Sequence, residues 1–221
     1  MNANMPKTPH NTQLYRPSNR SNLKSYSKSI YILKRLVDYI SVFLLGLLSL
    51  PIIVLVVSRI KKESPGPIFF KQTRIGLYGK PFTCYKFRSM HIHTPTEDGL
   101  YTKDQDLRIF PFGQIMRKTR IDELPQIINI IKGEMHLIGP RAEWDVLVSQ
   151  YEKEVEEYHN RHLVRPGITG LAQVCYPYGR NIYDTKQKLG YDLKYIKNWS
   201  LFIELKVILQ TIDVVLRRKG I

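Results

Sequence analysis

The sequence predicts a small α/β domain that associates with a membrane through apolar and amphipathic helices. Three patterns indicate this fold class. Residues 39–57 form a nineteen-residue run without a charge, which is long enough to cross a bilayer. Residues 82–90 alternate in the manner of an extended strand. Residues 183–219 place apolar side chains at helical spacing between lysines and arginines, so helix and strand signals both occur.

The chain carries a large excess of basic side chains. Its 34 lysines and arginines against 19 aspartates and glutamates give a net charge of +15. This balance favours an anionic partner, either nucleic acid or an anionic membrane surface. Cys84 and Cys175 stand far apart and in no metal-ligand spacing, so we expect free thiols of a reducing compartment.

Residues 1–30 contain five basic side chains and no acidic one, together with abundant serine and asparagine. They show no apolar periodicity. We therefore predict a disordered basic tail over this range.

The predicted membrane segment, residues 31–62, has two features that argue against a simple crossing. Pro51 lies inside the apolar run, where it removes a backbone donor and kinks a helix. Basic residues flank the run on both sides: Lys34 and Arg35 before it, and Arg59, Lys61 and Lys62 after it. Because basic flanks prefer the cytoplasm, a helix that enters, bends near Pro51 and returns satisfies both. A straight crossing helix with a kink is the alternative, because membrane helices tolerate proline.

A strand pair is predicted after the turn signal at residues 63–67. Residues 67–72 and 82–90 flank a turn at residues 76–79. In an extended second strand, Cys84, Lys86 and Arg88 share one face. Two cations on one face suit a phosphate-binding surface, and a solvated strand face explains them equally well.

The most informative block places the carboxylates Asp122 and Glu123 among cations. Its basic residues are Arg117, Lys118, Arg120 and Arg141. A carboxylate within a cationic pocket suits a phosphorylated substrate, since it can attack phosphorus or hold a metal ion. Pro125 and Gly133 fit the start and end of a helix, whose dipole would keep both carboxylates charged. A surface helix of mixed charge is the alternative interpretation.

The remaining segments predict two helices and a turn. Residues 143–163 read as a helix whose inward side chains are Val148, Tyr151, Val155 and Tyr158. Residues 165–173 form a glycine-containing turn that could present backbone donors to an anion. The C-terminal amphipathic stretch suits a helix lying in a membrane interface, and ordinary core packing explains it as well.

The ordered motifs together resemble the bacterial sugar transferases, the monotopic phosphoglycosyl transferases. The resemblance covers residues 31–221 and rests on the following blocks: Lys34-Arg35, the proline-broken apolar segment, residues 85–90 (YKFRSM), Arg117, residues 122–126 (DELPQ), residues 139–141 (GPR) and residues 165–173 (RPGITGLAQ). Longer members add N-terminal membrane helices, so we expect this chain to be the minimal catalytic form.

The resemblance implies a specific reaction and fold. Family members transfer a sugar 1-phosphate from a UDP-sugar to a polyprenyl (undecaprenyl) phosphate and release UMP, which begins polysaccharide or glycan assembly. Their small α/β domain lies on the cytoplasmic face of the bacterial inner membrane, held by a re-entrant helix and interfacial helices. Here residues 63–221 would be that cytoplasmic catalytic domain.

The resemblance also assigns residues. Asp122 would be the nucleophile that forms a phosphosugar-aspartyl intermediate, Glu123 would support acid–base or metal chemistry, and Mg²⁺ would bind at this pair. The candidate phosphate-binding residues are Lys86, Arg88, Arg117, Arg141 and Arg165. Lys34, Arg35 and Pro51 would anchor the chain at the membrane, with the two cations at lipid headgroups.

Partners follow from the same assignment. We expect a UDP-sugar, a polyprenyl phosphate and anionic lipid as partners and no nucleic acid, with homo-oligomerisation left open. One rival is a non-enzymatic, membrane-tethered basic protein that binds anionic lipid or nucleic acid. It does not explain carboxylates inside the densest cationic block, where they would oppose a polyanion. A second rival is a hydrolase that passes an aspartyl phosphate to water.

Overall fold

The computed structural model describes residues 27–92, 106–176 and 181–217. Most of the predicted basic tail, residues 1–26, lies outside the described residues. Residues 93–105 also lie outside the described residues. The described chain combines helices with two small sheets, which confirms a mixture of helix and sheet.

The first helix, α1, is the long apolar segment. It runs Lys28–Glu63, and the Ser27 side chain caps it by accepting a hydrogen bond from the Ile30 amide. Pro51 lies within this 36-residue helix. Among the described residues it is the one helix long and apolar enough to cross a membrane, as predicted from the charge-free run.

A β-hairpin follows α1. Strands β1 (Phe69–Ile75) and β2 (Pro81–Phe87) pair antiparallel, with Arg74 opposite Phe82 and Phe70 opposite Lys86. The hairpin and its turn were predicted. The second strand ends at Phe87, three residues before its predicted end, and the Arg88 amide still donates to the Ile68 carbonyl at 2.8 Å.

The acidic pair lies in a connection between two helices. Helix α2 (Pro111–Thr119) ends at Arg120, which has a left-handed backbone conformation with φ of 59°. A 3-10 helix then spans Ile121–Gln126, and α3 covers Ile127–Ile131. The predicted helix therefore begins a turn earlier than Pro125. Gly133, with φ of 77°, follows its end as expected.

A short parallel sheet was not predicted. Strand β3 (His136–Ile138) pairs with β4 (Gly167–Thr169), and α5 (Leu171–Cys175) follows β4. The Gly167 amide donates to the Pro140 carbonyl at 2.9 Å. This amide is therefore engaged in the sheet region, and the anion-binding role predicted for the turn over residues 165–173 stays a prediction.

The remaining helices are α4 (Asp145–Glu154), α6 (Ile182–Lys197) and α7 (Leu201–Leu216). The helix predicted over residues 143–163 is interrupted near Glu157, where φ is 60°, and continues as a 3-10 helix over Tyr158–Leu163. Its predicted inward side chains are all buried.

The predicted C-terminal amphipathic stretch is two helices, because Ser200 caps the start of α7. A row of apolar side chains on α7 is at least half exposed: Phe202, Leu205, Leu209, Ile212 and Leu216. Core packing therefore does not account for this row.

The two ends of α1 pack against different parts of the same domain. In its first half, Val42 joins a buried cluster with Ile130 and Met135. Near its end, Val56 and Ile60 pack with a second cluster around Phe87, Phe110 and Met116. Between these contacts, most side chains of residues 43–55 are exposed.

Candidate active site

The 3-10 helix Ile121–Gln126 brings the acidic pair against strand β2. Asp122 and Glu123 occupy its first turn and are 7% and 4% exposed. Lys86 of β2 lies opposite and donates to Glu123 Oε1 at 2.7 Å. The structure therefore brings together a carboxylate pair and a lysine that are 36 or more positions apart in sequence.

Glu123 is the centre of a cluster of cations. Its Oε1 accepts from Lys86 and, at 2.9 Å, from Arg141 Nη2, while Arg120 Nη1 lies 3.8 Å away. Burial by itself would raise the pKa of Glu123. The nearby charges of Arg141, Lys86 and Arg120 outweigh burial and hold this pKa well below its usual value. Glu123 therefore stays ionised.

Asp122 has a different environment from its neighbour. Its Oδ1 is buried and has no hydrogen-bond partner within the described part of the chain. Burial raises the pKa of Asp122, the charge of Lys86 opposes this, and the charge of Glu123 adds to it. The nearby cations account for the charge on Glu123, and the expectation that Asp122 is also kept charged stays a prediction. A buried acceptor without a partner is costly unless a ligand satisfies it.

An arginine that sequence reasoning missed lies beside the pair. Arg74 of β1 lines a small cavity with Cys84, Lys86, Gln126 and Arg141. Its Nη1 donates to the Ala142 carbonyl at 2.7 Å, and burial followed by repulsion from Arg141 lowers its pKa. The register of the hairpin identifies Arg74 as a neighbour of the site, because residues opposite one another on antiparallel strands share a face. Arg74 opposite Phe82 lies on the face of Cys84 and Lys86.

Arg88 and Arg165 are not placed with the acidic pair. Arg88 bonds the Ser64 side chain and the Pro67 carbonyl, at 2.8 and 2.6 Å, so it fastens the segment that follows α1. Arg165 Nε donates to the Gly133 carbonyl at 2.6 Å, and its guanidinium stacks on the Tyr31 ring of α1. These contacts give both side chains a structural role, and their predicted role in phosphate binding stays a prediction.

Arg117 and Arg141, which were also predicted to bind phosphate, lie differently with respect to the acidic pair. Arg141 contacts Glu123 directly, as described above. Arg117 is half-buried, and its positive charge opposes the rise that burial causes in the pKa of Asp122. Arg117 therefore remains a candidate for phosphate binding by its position near Asp122.

Lys34 and Arg35 lie inside the protein, which corrects their predicted place at lipid headgroups. Lys34 is 2% exposed and forms an ion pair with Glu204 of α7. Arg35 donates to the Ile130 carbonyl at 3.0 Å and lies 3.7 Å from Asp38. A cation buried at the end of an apolar helix requires such partners, because leaving it unpaired is expensive.

These features define an α/β protein with one long apolar helix and a carboxylate pair that lies among cations. A family model described as "Bacterial sugar transferase" matches residues 29–218, which is most of the chain. The chain belongs to this family, as the ordered motifs indicate.

Individual relatives carry more specific names. An Aeromonas hydrophila UDP-N-acetylgalactosamine-undecaprenyl-phosphate N-acetylgalactosaminephosphotransferase is 41% identical over 85% of this chain and 44% of its own length. A Caulobacter vibrioides UDP-glucose:undecaprenyl-phosphate glucose-1-phosphate transferase is 40% identical over 81% of this chain and 68% of its own length. The Bacillus subtilis "uncharacterized sugar transferase EpsL" is 39% identical over 86% of this chain and 90% of its own length. The chain thus spans under half of the first relative and most of the third.

Proposed function

We propose that this protein transfers a sugar 1-phosphate from a UDP-sugar to undecaprenyl phosphate, releasing UMP and forming a covalent intermediate on Asp122. The observation that carries the proposal is the buried, unpartnered Oδ1 of Asp122 beside cations that are already assembled around Glu123. The names of the similar proteins support the substrate classes.

In the first half-reaction, an Asp122 carboxylate oxygen attacks the phosphorus that carries the sugar. A new bond forms between that oxygen and phosphorus, and the bond from phosphorus to the bridging oxygen of the diphosphate breaks. The bridging oxygen leaves with the electron pair as part of UMP. Asp122 must be ionised to attack; burial raises its pKa and opposes this, whereas the charge of Lys86 favours it.

In the second half-reaction, a phosphate oxygen of undecaprenyl phosphate attacks the same phosphorus. The bond from Asp122 to phosphorus breaks, and the carboxylate returns to its starting state. Two successive displacements allow the soluble nucleotide and the lipid to use the site in turn. This order of the two steps suits a catalytic site in a domain that carries a long apolar helix.

Glu123 organises the positive charge in this proposal. Its contacts hold Lys86 and Arg141 together at the residue that directly follows Asp122. These cations offset charge on the transferring phosphoryl group, which is the main requirement of phosphoryl transfer. Since Glu123 stays ionised, we assign it to positioning these cations and not to donating a proton.

Mg²⁺ fits the site through Asp122. Magnesium is commonly bound by one or two carboxylates together with substrate phosphates, and the unpartnered Asp122 oxygen offers one such ligand. Glu123 Oε1 is already occupied by cations, so it is the weaker candidate. In the described residues no group of three or more His, Cys, Asp and Glu side chains is suited to hold a metal. When bound, Mg²⁺ would neutralise charge on the diphosphate.

A re-entrant α1 is part of the proposal, with the catalytic domain on the cytoplasmic face of the bacterial inner membrane. The support is that both ends of α1 pack against one domain while its middle is apolar and exposed. A straight crossing would put those ends on opposite sides of the bilayer. The exposed apolar row on α7 provides a second surface suited to the membrane interface.

Labelling tests this orientation. In a Cys175→Ser background, single cysteines at Lys28 and Ser58 are treated with a membrane-impermeant maleimide in inner-membrane vesicles of either orientation. The re-entrant arrangement predicts that both positions react in inside-out vesicles only. If the two positions react in vesicles of opposite orientation, the re-entrant arrangement is refuted. In a Pro51→Ala variant, unchanged labelling would show that Pro51 does not set the bend.

Nucleotide release tests the reaction. Purified protein in detergent receives Mg²⁺, undecaprenyl phosphate and one of a panel of UDP-sugars that includes UDP-glucose and UDP-N-acetylgalactosamine. We expect UMP that depends on the lipid, and loss of it in Asp122→Asn. Asp213→Asn is the matched control, because Asp213 forms an exposed ion pair with Arg217 on α7. Sugar phosphate released without lipid would indicate a hydrolase, and absence of UMP with every donor would refute the transferase.

A further inference from the structure

A buried ion pair behind the site connects α6 to the acidic cluster. Arg161 and Asp192 are 5% and 2% exposed, and Arg161 Nη2 lies 2.8 Å from Asp192 Oδ2. Arg161 Nη1 also donates to the Tyr158 hydroxyl at 2.6 Å. None of these three residues was singled out as functional by the sequence motifs.

The third contact of Arg161 points towards the site. Its Nη2 donates to the main-chain carbonyl of Arg141 at 2.9 Å, and the Arg141 side chain donates to Glu123 at 2.9 Å. We propose that Arg161, held by Asp192, is a positioning residue that fixes the backbone of Arg141 and so directs its guanidinium to Glu123 and the donor phosphate. This inference deepens the proposed function, and its part concerning the donor rests on that function.

The backbone of Arg141 is held from two sides. It forms an isolated parallel bridge with Gly167, and its carbonyl accepts from Arg161. Fixing the main chain limits where the side chain can reach. Misplacing a phosphate-binding group by about 1 Å can reduce a rate roughly 100-fold.

A contribution to stability does not by itself explain why the Arg161–Asp192 ion pair is buried. Buried ion pairs can often be replaced by apolar side chains without loss, because desolvation offsets their attraction. Arg161 uses its planar group to reach three partners on different segments at once: Asp192, Tyr158 and Arg141. A lysine has one ammonium group and does not offer this fork. The geometry therefore suits positioning better than it suits general stabilisation.

The first test is a double-mutant cycle. Arg161→Lys keeps a positive charge opposite Asp192 and loses the fork that also reaches the Arg141 carbonyl. We expect the rate of UMP release to fall about 10- to 100-fold. In an Arg141→Gln background the same substitution should change the rate by less than about twofold, because its effect passes through Arg141. Equal losses in both backgrounds would overturn the proposal.

A second test needs no activity. Phenylglyoxal labels accessible guanidinium groups, and peptide mass spectrometry reads the rate for each arginine. In Arg161→Lys we expect Arg141 to label several-fold faster, whereas Arg88, which is buried at the hairpin, keeps its wild-type rate. Unchanged labelling of Arg141, or equal acceleration at Arg88, would refute a specific role.

Two controls complete the design. Arg108→Lys changes the arginine of a separate ion pair, with Asp106, and should alter neither readout. If Arg161→Lys does not fold, Asp192→Glu moves the carboxylate by one methylene without removing charge and should accelerate Arg141 labelling in the same way. Wild-type protein that releases no UMP would refute the proposed function, while the labelling result would still decide whether Arg161 positions Arg141.

Discussion

Replacing Lys34 with methionine gives a sharp test of the buried link between α1 and α7. The Lys34 side chain is 1% exposed and that of its ion-pair partner Glu204 is 8% exposed. Glu204 also accepts from the Tyr195 hydroxyl at 2.5 Å and from Trp199 Nε1 at 2.7 Å. Removing the lysine leaves this carboxylate buried without its cation.

Breaking a buried ion pair from one side costs about 3–5 kcal/mol. Two hydrogen bonds to Glu204 remain, so we expect the lower end, about 3 kcal/mol. For a chain of this size each 1 kcal/mol changes Tm by roughly 2–4 °C, which predicts a fall of about 6–12 °C. Lys34→Met/Glu204→Gln should recover much of this, because the amide oxygen still accepts from Tyr195 and Trp199.

Thermal unfolding of the detergent-solubilised protein, at one fixed scan rate, measures the effect. Repeating it in neutral and in anionic lipid separates the two roles considered for Lys34. A buried ion pair predicts the same loss in both lipids. A Tm within about 2 °C of wild type, or a loss confined to anionic lipid, would refute the burial and restore the headgroup role.

Three further predictions concern other parts of the molecule. Arg88→Ala should lower Tm while the KM for the donor stays near wild type, because Arg88 bonds the Ser64 segment; a raised KM at unchanged Tm would contradict this. Gly167→Ala should prevent accumulation of folded protein, since its Cβ would lie well under 3.0 Å from the Gly139 amide nitrogen; normal yield and Tm would count against that contact. Burial raises the pKa of Asp122, so kcat/KM should fall on acidification at a higher pH than for an ordinary aspartate. Raising Mg²⁺ should move this limb to lower pH, and a fixed limb would exclude Asp122 as a ligand.

Local sequence patterns were sufficient to predict the parts of the fold that depend on residues close together in the sequence. The charge-free run gave α1, and the glycine turn between alternating segments identified the hairpin. The carboxylate pair and Arg141 were identified because they stand within twenty positions of one another, in a block where charge is dense. Such signals depend on spacing along one element and need no knowledge of packing.

Contacts between distant segments could not be derived in that way. Strands β3 and β4 have three residues each, too few for alternation to be visible. Lys34 next to an apolar run is equally typical of a headgroup anchor, and only the packing of α7 shows its partner. Arg74 could be identified as a neighbour of the site only when the register of the hairpin was known.

The separation between Lys34 and Glu204 also has a consequence for biosynthesis. The two residues are 170 positions apart, and a ribosome adds about 5–20 residues per second. A newly made α1 therefore exists for roughly 10–30 s before its partner carboxylate has been synthesised. During this interval we expect the Lys34 ammonium to rest in water or against lipid phosphates, so headgroup contact describes the nascent chain. Docking of α1 is then completed only after α7 has emerged from the ribosome.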